Sequence, residues 1–229
     1  LKIKSLRKTD QFILNSLLAL LPLLMLPFLL TKQLKITTPK DFFWVLVFAL
    51  IIILNQQAED FWHWPHLLIN CLLAMPVIFL FIEKSYLVDL LLLMQLIIKW
   101  AINPTMMSNL DVRLGLLLEE AIVPIFIEIA LLAAVIDQIN SKQIMLISVV
   151  YLSKVAFTLP FHQFLDFIWP FLAIILVILL KLRQISSLPA MILTLTLVLL
   201  NLLLYPRLKK IEQAPALLLL ALVLSNTLL

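Results

Sequence analysis

Apolar residues fall in nine blocks along the chain, roughly 12–30, 42–55, 66–82, 86–102, 114–136, 143–161, 164–181, 188–205 and 214–229. Most approach the length needed to cross a ~30 Å hydrocarbon layer at ~1.5 Å per helical residue. Backbone polar groups in lipid must be paired within the protein, so such blocks are predicted to be helices. A transmembrane barrel would instead show short alternating strands, and nothing here alternates. The second and last blocks are short for full spans and fit tilted, partial or truncated ones. Separators such as Thr31 to Asp41, Gln56 to Pro65 and Asp137 to Lys142 are brief and polar, too short to divide domains. The pattern predicts one all-α integral membrane domain over 1–229, a polytopic transmembrane helical bundle of about eight spans (seven to nine).

Composition sharpens this picture. The chain is 64% hydrophobic and 13% charged, whereas a soluble domain is about half apolar and about a quarter charged. So few charges cannot coat a water-soluble body, and the expected location is a bacterial-type cytoplasmic membrane or an organelle membrane. Lys2, Lys4, Arg7 and Lys8 precede the first block, but no small-residue cleavage site follows it. The start at Leu1 and the stop inside an apolar run at Leu229 fit a trimmed form of a slightly longer product. Cys71 is the single cysteine, so no intrachain disulfide contributes, and Gly115 is the single glycine. Close helix contacts must therefore rely on Ala, Ser and Thr.

Nine full spans would put eight Lys and Arg on one side and seven on the other, which sets no orientation. A re-entrant hairpin in the first block, at Pro22 and Pro27, would bring the basic N-terminus and the Lys32–Lys40 loop to one side. The net charge of +4 suits lipid headgroups and gives no argument for nucleic acid.

Ionisable groups inside apolar blocks carry the chemical information, because each costs about 2.5–3.5 kcal/mol at mid-membrane unless paired or wet. The fifth block contains Glu119, Glu120 and Glu128. On an α-helix Glu120, Pro124 and Glu128 fall at i, i+4 and i+8, one stripe, with Glu119 beside it. Adjacent carboxylates repel in a low-dielectric site, an arrangement suited to general acid–base work on a water. The simpler alternative makes both glutamates first-turn groups at a helix N-terminus near the interface. In the sixth block Lys154, Thr158 and His162 repeat the i, i+4, i+8 spacing until Pro160 distorts the last turn. An unpaired Lys would be costly there, so Lys154 is expected to face the fifth block and pair with Glu120 or Glu128. Snorkelling of Lys154 to an interface is the alternative.

Glu59, His63 and His66 have helical metal-ligand spacing, yet Trp62, Trp64 and Pro65 among them read as an aromatic belt, and no metal is assigned. Asp89, Lys99 and Asp166 lie near block ends and are read as interfacial. No Gly-rich phosphate loop and no Ser nucleophile motif occur, and no cofactor is implied.

A Glu-Glu pair opens one block, a Phe and a His close the next, and a later block starts with Leu188-Pro189-Ala190 after a short basic turn. In this order the chain resembles the CAAX-protease and bacteriocin-processing (CPBP or Abi) family of glutamic intramembrane endopeptidases, over roughly 110–205. The family pattern is Glu-Glu-x-x-x-Arg, then Phe-x-x-x-His, then His-x-x-x-Asn/Asp. Glu119 and Glu120 match the first motif, with Pro124 at the Arg position. His162 matches the second, with Thr158 at the Phe position and Phe157 one residue away. Thr194 and Val198 stand at the third motif's His and Asn, and Asn201 is a later substitute for the Asn. The resemblance implies that a glutamate activates water while histidines hold it or stabilise the oxyanion, a role that often supplies several kcal/mol of rate enhancement.

Losing the Arg, one His and the Asn points to a protein that kept the scaffold and lost the protease. The leading expectation is a scaffold, subunit or assembly factor that binds a hydrophobic peptide or another membrane protein through a cavity with Glu119, Glu120, Lys154 and His162. Glu128, Thr158, Thr194 and Asn201 join that polar set. The alternatives are a working endopeptidase using Glu119, Glu120 and His162, and a proton- or cation-coupled transporter or channel subunit.

Overall fold

A computed structural model describes residues 8–31, 35–58, 66–102, 112–136 and 138–158, together with Leu188, Pro189, Ile192 and Thr196. The seventh to ninth apolar blocks thus lie almost wholly outside the described residues. The elements are α1 (Lys8–Thr31), α2 (Pro39–Ala58), α3 (His66–Glu83), α4 (Tyr86–Ile102), α5 (Val112–Leu117), a π-helical turn (Leu118–Ile122), α6 (Val123–Val135) and α7 (Ser141–Thr158). The described residues are all-helical, with no strands. The first block runs as one helix through Pro22 and Pro27, in place of a re-entrant hairpin.

Local chemistry accounts for the boundaries. Pro39 opens α2, where its fixed φ and missing N–H cost nothing, and Asp41 follows in the first turn. Between α3 and α4, Lys84 takes a left-handed φ of 65°. Lys84 N donates to Phe81 O (3.2 Å) and Ser85 N to Leu80 O (3.1 Å), a Schellman closure that usually employs glycine. In a chain with one glycine, a lysine accepts this conformation, at about 1 kcal/mol. At the start of α7, Asn140 Oδ1 accepts from Lys142 N (3.2 Å) while Asn140 N donates to Gln143 Oε1 (2.9 Å), a reciprocal capping box.

The fifth block is divided. Pro124 has no N–H to give and its ring clashes with the carbonyl four residues back, at Glu120. The helix widens just before it, and Val123 N donates to Leu118 O, five residues away. The π turn thus falls on the segment that carries Glu119 and Glu120.

Helix α6 is the central post, packed against α1, α2, α4 and α7. One apolar core joins α2, α3, α4 and α6 through Phe48, Leu73, Leu80, Leu92, Ile127 and Leu131. A second joins α1, the π turn, α6 and α7 through Leu26, Ala121, Leu132, Ile147 and Tyr151. The outer faces of α3 and α4 stay apolar and exposed, as at Ile78, Phe81, Ile82, Leu87, Leu90 and Ile97.

Among the described residues, one helix, over Pro39–Gln56, is long and apolar enough to cross a membrane by length and composition. The eight-span expectation exceeds this, and its last three blocks lie almost wholly outside the described residues. Helix α4 has 17 residues, and the fifth block is cut into pieces of 6, 5 and 13.

A candidate polar site at the π turn

The π turn directs Glu119 towards α2 and α4. Lys99, in the last turn of α4, forms an ion pair with Glu119 Oε1. Gln56, near the end of α2, donates from Nε2 to the same oxygen at 3.4 Å. The Lys99 side chain is 11% exposed and that of Glu119 26%. The cation is therefore the more deeply held partner, and the acid is the one that reaches the outside.

One turn earlier on the inner face of α4 lies Gln95, fully buried at 0% exposure. Neither its Nε2 nor its Oε1 has a hydrogen-bond partner among the described residues. A buried polar group left unsatisfied costs about 1–3 kcal/mol, so this amide is one of the least favourable features of the core.

Further along α6, Glu128 is buried at 0% exposure, and Tyr151 of α7 donates its hydroxyl to Glu128 Oε1 at 2.7 Å. Glu128 Oε2 is buried without a partner among the described residues. At the opposite end of α2 and α4, Ser85 Oγ donates to Asp41 Oδ1 at 2.6 Å, and Asp89 N donates to Ser85 O at 2.9 Å.

The packing of α7 on α6 and the π turn brings the fifth and sixth blocks together. The α-helical period linking Glu120 to Glu128 is interrupted by the wide turn, so the simple i, i+4, i+8 stripe does not carry across it. Glu119 faces α2 and α4, whereas Glu128 faces α7. Lys154 and Thr158 fall in the last turns of α7, and their side chains lie outside the described residues. His162, Thr194 and Asn201, and Glu59 and His63 of the tryptophan-rich stretch, also lie outside them, as does the side chain of His66. Among the described residues no group of three His, Cys, Asp or Glu is placed to hold a metal ion.

Sequence reasoning missed Lys99, Gln56, Gln95 and Tyr151. Lys99, like Lys154, is a cation inside an apolar block and needs an acid there. Pro124, four residues after Glu120, was the available sign of a distorted turn. No protein-family model, curated protein or solved structure matches the chain.

Proposed function

We propose that this chain is a multi-pass membrane protein that binds a hydrophobic or transmembrane partner as a scaffold, subunit or assembly factor, on a CPBP-like framework without protease activity. The membrane part rests on a chain 64% hydrophobic and 13% charged, and on the exposed apolar faces of α3 and α4. Apolar side chains outside and Lys99, Gln95 and Glu128 inside match a body solvated by lipid.

The observation that carries the non-catalytic part is the engagement of Glu119 by Lys99 and Gln56. A general base needs a carboxylate free to take a proton from a water within hydrogen-bond reach. Here one oxygen of the first glutamate of the pair is held by an ammonium and an amide. Pro124 at the position where the family has Arg points the same way, because it reshapes the turn on which both acids sit.

Two measurements test the proposal together. Purified protein in mild detergent is expected to retain a stable membrane partner, and to cleave hydrophobic peptides no faster than its Glu120→Gln variant. Proteolysis that Glu120→Gln abolishes would establish the endopeptidase reading instead. One observation favours a transporter subunit as a second reading, the buried Glu128 with its hydroxyl partner and one open oxygen. Ion or solute flux lost in Glu128→Gln would support it.

A further inference from the structure

We propose that Lys99 and Gln56 form a receptor for a carboxylate, occupied by Glu119 as a built-in ligand until an acidic side chain of a transmembrane partner displaces it. The inference rests on the partner-binding reading for the source of the acid, and deepens it by naming the chemistry of contact.

The two members of the ion pair are unequally placed. With its side chain 11% exposed, Lys99 requires an anion in every state of the protein, because an uncompensated buried charge is strongly unfavourable. Glu119, at 26%, reaches the outside and sits on a π turn, a segment whose hydrogen bonds already depart from the α pattern. The acid is able to leave while the cation stays, so the site is anion-demanding and its occupant exchangeable.

Lys99 and Gln56 converge on one oxygen, Oε1, whereas a carboxylate offers about four acceptor positions on two oxygens. Gln95, one turn deeper on the same face of α4, holds an unused amide at 0% exposure. Long helical side chains lean towards the helix N-terminus, so the Lys99 stem lies over the turn that contains Gln95. An acidic residue in a transmembrane helix is itself costly in lipid and gains from exactly such a cation.

The test uses the full chain in mild detergent, with a leucine-rich transmembrane peptide carrying one Glu, its Glu→Gln counterpart, octanoate and octanol as probes. Glu119→Ala is expected to lower the thermal midpoint by about 5 °C or more. The acidic peptide should restore at least half of that loss, the Gln peptide and octanol none, and Lys99→Met should abolish the response. Equal rescue by octanoate and the acidic peptide would assign the site to lipid-type acids and overturn the partner assignment. No response to either acid would overturn the proposal. If Glu119→Ala does not fold, a photoreactive acidic peptide is applied to the wild-type chain. Labelling of α2 or α4 that disappears in Lys99→Met supports the receptor, and labelling indifferent to the acid or to Lys99 refutes it. A native partner that co-purifies equally well with Lys99→Met would sink this inference alone. Rescue without any co-purifying partner would sink the partner-binding reading alone.

Discussion

Removing one oxygen atom from Tyr151 isolates the worth of the deepest polar contact described. Tyr151→Phe keeps the ring and its packing beside Ile147 and Leu132, and deletes the hydroxyl that donates to Glu128 Oε1 at 2.7 Å. Glu128 Oε2 already lacks a partner and the residue is 0% exposed, so the variant leaves a carboxyl group with both oxygens unanswered. An orphaned buried group costs about 1–3 kcal/mol, while side-chain hydrogen bonds in membrane proteins average about 0.6 and reach about 1.7. The membrane average includes groups that find substitutes, which neither Glu128 oxygen has among the described residues. The upper part of that range is therefore expected, about 1.5 kcal/mol. For a chain of 229 residues this corresponds to roughly 3–6 °C in thermal midpoint. Glu128→Met should cost a similar amount by stranding the hydroxyl. The double variant Tyr151→Phe/Glu128→Met should recover most of the loss, since removing both partners for apolar groups of like shape is nearly neutral. Thermal melts of the four proteins in one detergent close the cycle. A coupling below about 0.5 kcal/mol, or a double variant worse than Tyr151→Phe, would refute the reasoning.

The Lys99–Glu119 pair should be asymmetric. Glu119→Gln is expected to cost about 2–3 kcal/mol, below the usual 3–5 for a broken buried pair because Glu119 is 26% exposed. Lys99→Met should cost about 1 kcal/mol, since the freed acid keeps Gln56 and reaches the outside; equal losses in the melts would contradict this. Ser85→Ala should destabilise by about 1–2 kcal/mol through the loss of its 2.6 Å bond to Asp41. Glu83→Gln, two residues away, should stay within about 0.5 kcal/mol, because Lys40 and Glu83 are 73% and 41% exposed. Pro124→Ala should let the π turn relax to α-helix and rotate Glu119 away from α4. A flexible thiol-to-thiol cross-linker that joins Lys99→Cys to Glu119→Cys with Pro124 in place should then join them less, and undiminished cross-linking would show that Pro124 does not hold the turn open.

Helix positions were largely legible in the sequence, because an apolar block bounded by Pro, Asn, Lys or Ser leaves few choices. The blocks at 66–82 and 86–102 correspond closely to α3 and α4. The division of the fifth block was legible only through Pro124, because a hydrophobic pattern with a regular period carries no mark of one extra residue in a turn. That extra residue changes which acid faces which helix, so pairing Glu119 with α4 could not follow from i, i+4 spacing. Lys99 was read as interfacial from its place near a block end. Position along a helix, however, does not reveal which neighbour stands opposite, and here Glu119 and Gln56 both do. Gln95 drew no notice because neutral amides leave no trace in a charge inventory.

The backbone oxygen of Ala134, near the end of α6, accepts from Thr38 N, Thr37 Oγ1 and Thr38 Oγ1, each at 3.0 Å. During synthesis the corner between the first two helices therefore waits for a clasp made almost a hundred residues later. Truncated chains ending before α6 are expected to expose that corner to proteases in a ribosome-stalling series, and chains extending past Ile136 to protect it. Biogenesis of this bundle thus closes backwards, the late post securing the early hairpin.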